Sequence, residues 1–132
     1  MLTTLGGAIK ARLEGLEVFK AVDQGFSQRA ISTPPSAVFF LSSDEEKVNT
    51  PYITRTLTWE IALLVSYLDP VKGLAQMNGL VDAVRPAFIH WLPVPAGCLP
   101  TAVPTVRYER VEDTLLIYTV RVTMQAVPGK IV

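Results

Sequence analysis

The stretch TRTLTWEIALLVSYLD, residues 54–69, limits the possible folds more than any other part of the chain. At period two, Ile53, Leu57, Trp59, Ile61, Leu63, Val65 and Tyr67 share one face. Thr54, Thr56, Thr58, Glu60, Ala62, Leu64, Ser66 and Leu68 share the other. The pattern is that of one long β-strand. Its first half alternates, so one side there meets water. Its second half is apolar or small on both sides and needs cover on both. Helices on one face supply half of that cover, and a loop or another copy of the protein supplies the rest. The run IALLVSYL is far too short to cross a bilayer as a helix.

The flanking segments supply the helices. Leu2, Leu5, Ile9, Leu13 and Leu16 recur at three- and four-residue steps and form a narrow apolar stripe. Thr3 or Thr4 is expected to cap this helix, and Gly15 helps end it. In DPVKGLAQMNGLVDAVRPAFIHWL, residues 69–92, Asp69 is a good cap and Pro70 suits the first helical position. Leu74, Met77, Leu80, Val81, Val84, Phe88 and Trp91 form the apolar arc of this second helix. Pro86 is expected to end or kink it near Val84 or Arg85.

Further strands are read at EVFKAV (17–22), AVFFLS (37–42), TVRYERV (105–111) and LLIYTVRVTMQAV (115–127). The last two are joined by EDT into a hairpin. In the closing strand Leu116, Tyr118, Val120, Val122, Met124 and Ala126 oppose Thr119, Arg121, Thr123 and Gln125. DQGFSQRAISTPPS (23–36) reads as a loop with an extended end, and SDEEKVNTP (43–51) as a polar connector. PVPAGCLPTAVPT, with four prolines and a glycine in thirteen residues, reads as a tethered loop, and Pro128 and Gly129 close the last strand before a short tail. The sum is a single domain over residues 1–132, of α+β class. It has a mainly antiparallel sheet of about four strands with two helices packed on one face.

Twelve basic and twelve acidic residues cancel, so no global field draws the chain to nucleic acid or an anionic membrane. Near-neutrality also removes a barrier to self-association. Cys98 is the only cysteine, which leaves no internal disulfide or thiolate metal cluster. The first sixteen residues lack the basic start and continuous apolar run of a signal peptide, and the expectation is a soluble cytoplasmic product.

Catalytic chemistry finds little purchase. No stretch matches a phosphate loop, a dinucleotide fingerprint or a zinc protease motif. His90, the only histidine, reads as an inert polar residue on a short helical turn. Cys98 has no adjacent basic residue to activate it. Asp44, Glu45 and Glu46 lack the alternating ligands and glycine turn of a calcium loop. Trp59, Trp91, Phe39 and Phe40 read as core, because no basic groove accompanies them. The expectation is therefore no catalytic, cofactor-binding or metal-binding residue, and no cofactor. Arg55, Arg107 and Arg121 are expected to line one exposed sheet face.

In the order of its parts the chain resembles the small tail-terminator proteins of long-tailed phages and related prophages. The resembling segments are LGGAIKARLEGL, TPPSAVFFLSSDEE, RTLTWEIALLVSYLD, the helix after DP, and VRYERVEDTLLIYTVRVTM. Together they span nearly the whole chain. The resemblance implies a sheet flanked by helices and a structural role without catalysis. It implies a ring of copies of the chain, a hexamer on the tail, that stops polymerisation of the tail tube protein and presents a surface to a head-completion protein. Assembly in the host cytoplasm and residence in the virion tail follow.

A closed ring needs two different complementary patches on each subunit. The expected contact surfaces are the segment 43–52, with Asp44, Glu45, Glu46 and Lys47, and the polar face of the last hairpin, with Arg107 and Arg121. Two other readings fit the same residues: a head–tail connector or baseplate component, and a small ligand-binding α+β domain.

Overall fold

A computed structural model describes residues 2–25, 33–49, 52–92 and 99–126. Their elements follow in chain order as α1 (Leu2–Glu14), β1 (Ala21–Gln24), β2 (Ser36–Asn49), β3 (Tyr52–Ser66), α2 (Pro70–Ala87), β4 (Thr105–Glu112) and β5 (Leu115–Ala126). The strands form one five-stranded sheet in the order β1-β2-β3-β5-β4. The stretch with two apolar faces is its central strand, β3, which pairs antiparallel with β2 and with β5. Four strands are thus antiparallel, as the sequence suggests, and the short edge strand β1 adds a parallel pair with β2.

Both helices pack on one face. Leu5, Ile9 and Leu13 of α1 and Met77, Leu80 and Val84 of α2 meet Phe39, Leu57, Trp59, Ile61, Leu63, Val65, Val120 and Val122 in a single core. Leu74 was expected on this arc but is 41% exposed. The buried stripe runs through Gly73, Met77, Leu80 and Val84, which leaves Leu74 on its flank. On the opposite face Val38, Ala62, Leu64 and Ile117 form a second, smaller buried cluster. The far half of β3 is therefore covered on both sides, as its composition requires.

Five local expectations are corrected. β1 begins at Ala21, not at Glu17. The N–H groups of Leu16 and Glu17 return to the carbonyls of Leu13 and Glu14, and Glu17 sits at φ 57°, so the chain is still leaving the helix there. Thr3 and Thr4 lie inside α1 and do not precede it. The helix α2 runs through Pro86 to Ala87. A proline in the last turn forfeits only one backbone bond, and the N–H of Phe88 and Ile89 close the end on Arg85 and Pro86.

The fourth correction concerns residues 43–49, read as a connector. They continue β2, paired with β3 from Ser43↔Thr58 to Asn49↔Tyr52, after a bulge between Leu41 and Ser43. This end of the hairpin outruns the helices, so polar side chains suit both its faces and hide the strand from a hydrophobicity reading. The fifth concerns Arg55, which pairs with Glu46 and shares the helix-side face with Leu57 and Trp59. Arg107 and Arg121 lie on the other face, opposite Thr119 and Thr105.

The proline-rich segment is tethered where it is described. Leu99 N–H donates to Gln125 O at 2.8 Å, Ala102 N–H to Thr123 O at 3.1 Å, and Thr101 N–H to Trp91 O at 2.8 Å. Residues 99–102 thus seal β5 beyond the point where β4 leaves it. Of the segment read as a loop over 23–36, Asp23 and Gln24 end β1 and Ser36 begins β2, while residues 26–32, Cys98 and the tail with Pro128 and Gly129 fall outside the described residues.

Candidate interaction surfaces

Two polar surfaces stand at opposite sides of the sheet. The first is the far end of the β2–β3 hairpin. Asp44 and Glu46 lie on the helix-side face, whereas Glu45 and Lys47 lie on the other. Arg55 reaches diagonally to Asp44 in a two-point contact, Nε to Oδ1 at 2.7 Å and Nη2 to Oδ2 at 2.5 Å. This hydrogen bonding, with the guanidinium charge behind it, holds the Asp44 carboxyl below the usual aspartate range. Glu45, Glu46 and Lys47 are exposed. Nearer the turn, Val48 and Ile53 pair across the strands, and both are exposed.

The second surface lies on β5 and β4, on the face away from the helices. Arg121 is level with Glu60 on one side and Thr105 on the other. Its guanidinium stands 3.6 Å from the Glu60 carboxylate. Arg107 is held by Glu109 at 2.8 Å. Exposure sets the sign that this surface presents. The side chains of Arg107 and Arg121 are 59% and 48% exposed, but those of their partners Glu109 and Glu60 only 15% and 11%. In these two pairs carboxylates lie beneath and guanidiniums on top, whereas in the Arg110–Glu112 pair further along β4 the carboxylate is the more exposed partner, 54% against 42%.

The six residues expected at contacts are therefore not brought together. Asp44, Glu45, Glu46 and Lys47 belong to β2, and β3 and β5 separate them from Arg107 on β4. Sequence reading missed Arg55 as the partner of Asp44 and Glu60 as the partner of Arg121. Strand register was the missing information, because each ion pair joins residues that only pairing makes neighbours. It also missed Tyr108, which sits edge-on to Tyr118 at 5.8 Å and is largely exposed on the edge strand.

Two further concave regions lie elsewhere among the described residues. One groove runs between the helices, lined by Ala11, Arg12, Leu16, Ala83 and Ala87. Arg12 spans it, donating to Ala87 O at 2.9 Å with its guanidinium 5.8 Å from the Trp91 ring centre. A cleft beside Thr101 and Gln125 contains His90, which is exposed. Among the described residues no group of three or more His, Cys, Asp or Glu side chains is placed to hold a metal ion. No described helix is long and apolar enough to cross a membrane.

No protein-family model and no curated protein matches the chain. Among solved structures it is similar to a chain of the "virion of native gene transfer agent (GTA) particle". The TM-score is 0.57 at 14% sequence identity, with 95% of this chain and 98% of that chain covered. At that identity the likeness is one of fold. It extends over essentially the whole length of both chains.

Proposed function

We propose that the chain is a structural subunit of a phage-like virion that closes the end of a tail tube as a ring. The observation that carries this reading is the end-to-end likeness of fold to a chain of a gene transfer agent virion. That likeness supports a structural role in a virion, and the place at the tail end rests on the resemblance in the order of the chain's parts. The surface is consistent with such a role. Two polar patches of different character stand at opposite sides of one sheet, as a repeating head-to-tail contact requires. In this reading six copies surround the tube end, stop addition of tube protein and offer a face to a head-completion protein. The subunit works through contacts alone, without catalysis or cofactor, in the host cytoplasm during assembly and then in the virion.

The test uses purified protein and the tube protein of the same gene cluster. Added to a polymerising tube, it is expected to arrest growth and to appear as a ring at one tube end by negative-stain imaging. Unchanged tube lengths together with binding to the portal end would overturn the terminator role in favour of a connector. Binding to neither would remove both the terminator and the connector readings.

A further inference from the structure

We infer that copies of this chain join edge to edge, with the outer side of β2 in one copy pairing antiparallel with the outer side of β4 in the next. This deepens the ring reading above and rests on it. The first observation is that each sheet edge is open over a defined length. β1 occupies β2 only at Ser36–Phe39, and Gly25 N–H closes on Phe39 O. From residue 40 to Asn49 the outer side of β2 has no strand partner among the described residues. At the other edge, residues 99–102 seal the end of β5, and the outer side of the eight-residue β4 has no strand partner among the described residues.

Direction and length both fit. β2, β3, β5 and β4 alternate in direction, so β4 runs antiparallel to β2. A neighbour in the same orientation therefore meets this edge in an antiparallel pair, the form that needs no crossover. Placing Arg107 opposite Glu45 sets residues 105–112 against 47–40. The pairing then stops where β1 of the receiving copy begins.

Faces and charge fit in the same register. Glu45 and Arg107 both lie away from the helices, and Asp44 and Tyr108 both lie on the helix side. Glu45 is exposed, and Arg107 presents its guanidinium above the sunken Glu109. Each edge also carries a bulge, at Leu41/Ser43 and at Tyr108/Arg110. Bulges and charges on an edge block indiscriminate pairing and leave one complementary partner.

The stagger suits a closed ring. Within its own sheet Arg107 is level with Thr119, Ala62 and Val38. Facing Glu45 of the neighbour shifts each copy by 45 − 38 = 7 residues, or about six paired rows once the bulge residue is discounted. That is roughly 20 Å along the strands against roughly 19 Å across four strand spacings. The resulting tilt of about 45° falls at the upper end of the range in which sheets close on themselves.

Charge exchange and cross-linking test the joint. Glu45→Arg is expected to raise the concentration for half-assembly about tenfold. Glu45→Arg with Arg107→Glu in the same chain is expected to recover most of that loss. In a Cys98→Ser background, Glu45→Cys with Arg107→Cys is expected to give a ladder of covalent oligomers on mild oxidation, which neither single cysteine gives. Oligomers seen by light scattering, with no ladder and no recovery in the exchanged pair, would show that copies meet elsewhere. That result overturns the joint and leaves the ring intact. A chain that stays monomeric and forms no ladder at its highest soluble concentration also overturns the joint, and the tube-arrest assay then decides the ring reading separately.

Discussion

Asp44 and Arg55, eleven residues apart, lock the β2–β3 hairpin where it leaves the helices, through two parallel hydrogen bonds across the strands. The contact is partly solvated, with side chains 30% and 15% exposed. A planar, two-point pair of this kind is worth more than an isolated surface ion pair, yet stays near 1 kcal/mol when water reaches it.

The pH dependence follows from the lowered Asp44 pKa. A carboxylate stabilised by folding contributes fully above its unfolded value, and the contribution fades as pH falls through the lower folded value. Asp44→Asn is expected to cost about 1 kcal/mol or less at neutral pH. The gap between variant and parent should close once the pH is well below the ordinary aspartate value of 3.8. Urea unfolding of both chains across this range measures it, and a gap independent of pH would remove the ion pair as its cause.

Trp59 offers a second test. Its side chain is 1% exposed, 6.3 Å from Phe39 between ring centres, and its Nε1 has no hydrogen-bond partner among the described residues. An unpartnered buried N–H costs about 1–3 kcal/mol, which offsets much of what the larger ring gains from burial. Trp59→Phe should therefore be tolerated within about 1.5 kcal/mol. Trp59→Ala should lose about 3–5 kcal/mol. Equal losses in thermal denaturation would contradict this account.

Two glycines on α2 should respond in opposite directions to alanine. A Cβ on Gly73 would stand 2.8 Å from Ser66 O and 2.9 Å from Tyr67 Cδ1, where helix and strand nearly touch. A Cβ on Gly79 would meet nothing within 4 Å. Gly73→Ala is expected to destabilise by about 1–3 kcal/mol, because backbone must move. Gly79→Ala is expected to stabilise by about 0.5–1 kcal/mol through helix propensity. Melting temperatures of the two variants should bracket that of the parent.

Thr101 binds the proline-rich segment to the end of α2. Its buried hydroxyl donates to Phe88 O at 2.5 Å and accepts from Trp91 N–H at 2.9 Å. Thr101→Val keeps the shape but leaves both groups unmatched, at about 1–3 kcal/mol. Hydrogen exchange should show faster opening at Leu99 and Ala102, whose N–H groups bond to β5. Unchanged protection at these two amides would mean that the segment is held by other contacts.

The fold was legible where the chain buries apolar side chains at a regular step. The stripe Leu5, Ile9 and Leu13, the two-sided half of β3 and the alternation of β5 all predicted the observed burial. The far half of β2 was not legible. DEEKVN carries no apolar rhythm, and only the register against Tyr52–Leu57 makes it a strand. For the surfaces, residue type located the charged patches but could not pair them. Glu60 reads as one polar residue in an apolar run until register sets it beside Arg121.

β3 is a single uninterrupted element from Tyr52 to Ser66. At about 3.3 Å per residue it is a beam roughly 50 Å long. One half is clamped beneath both helices, and the other projects free of them. A load applied near Ile53 is thus carried directly to Trp59 and Leu63 at the centre of the core, with no flexible joint between. Whatever seats itself on the outer half of the beam acts mechanically on the interior of the subunit as well as on its surface.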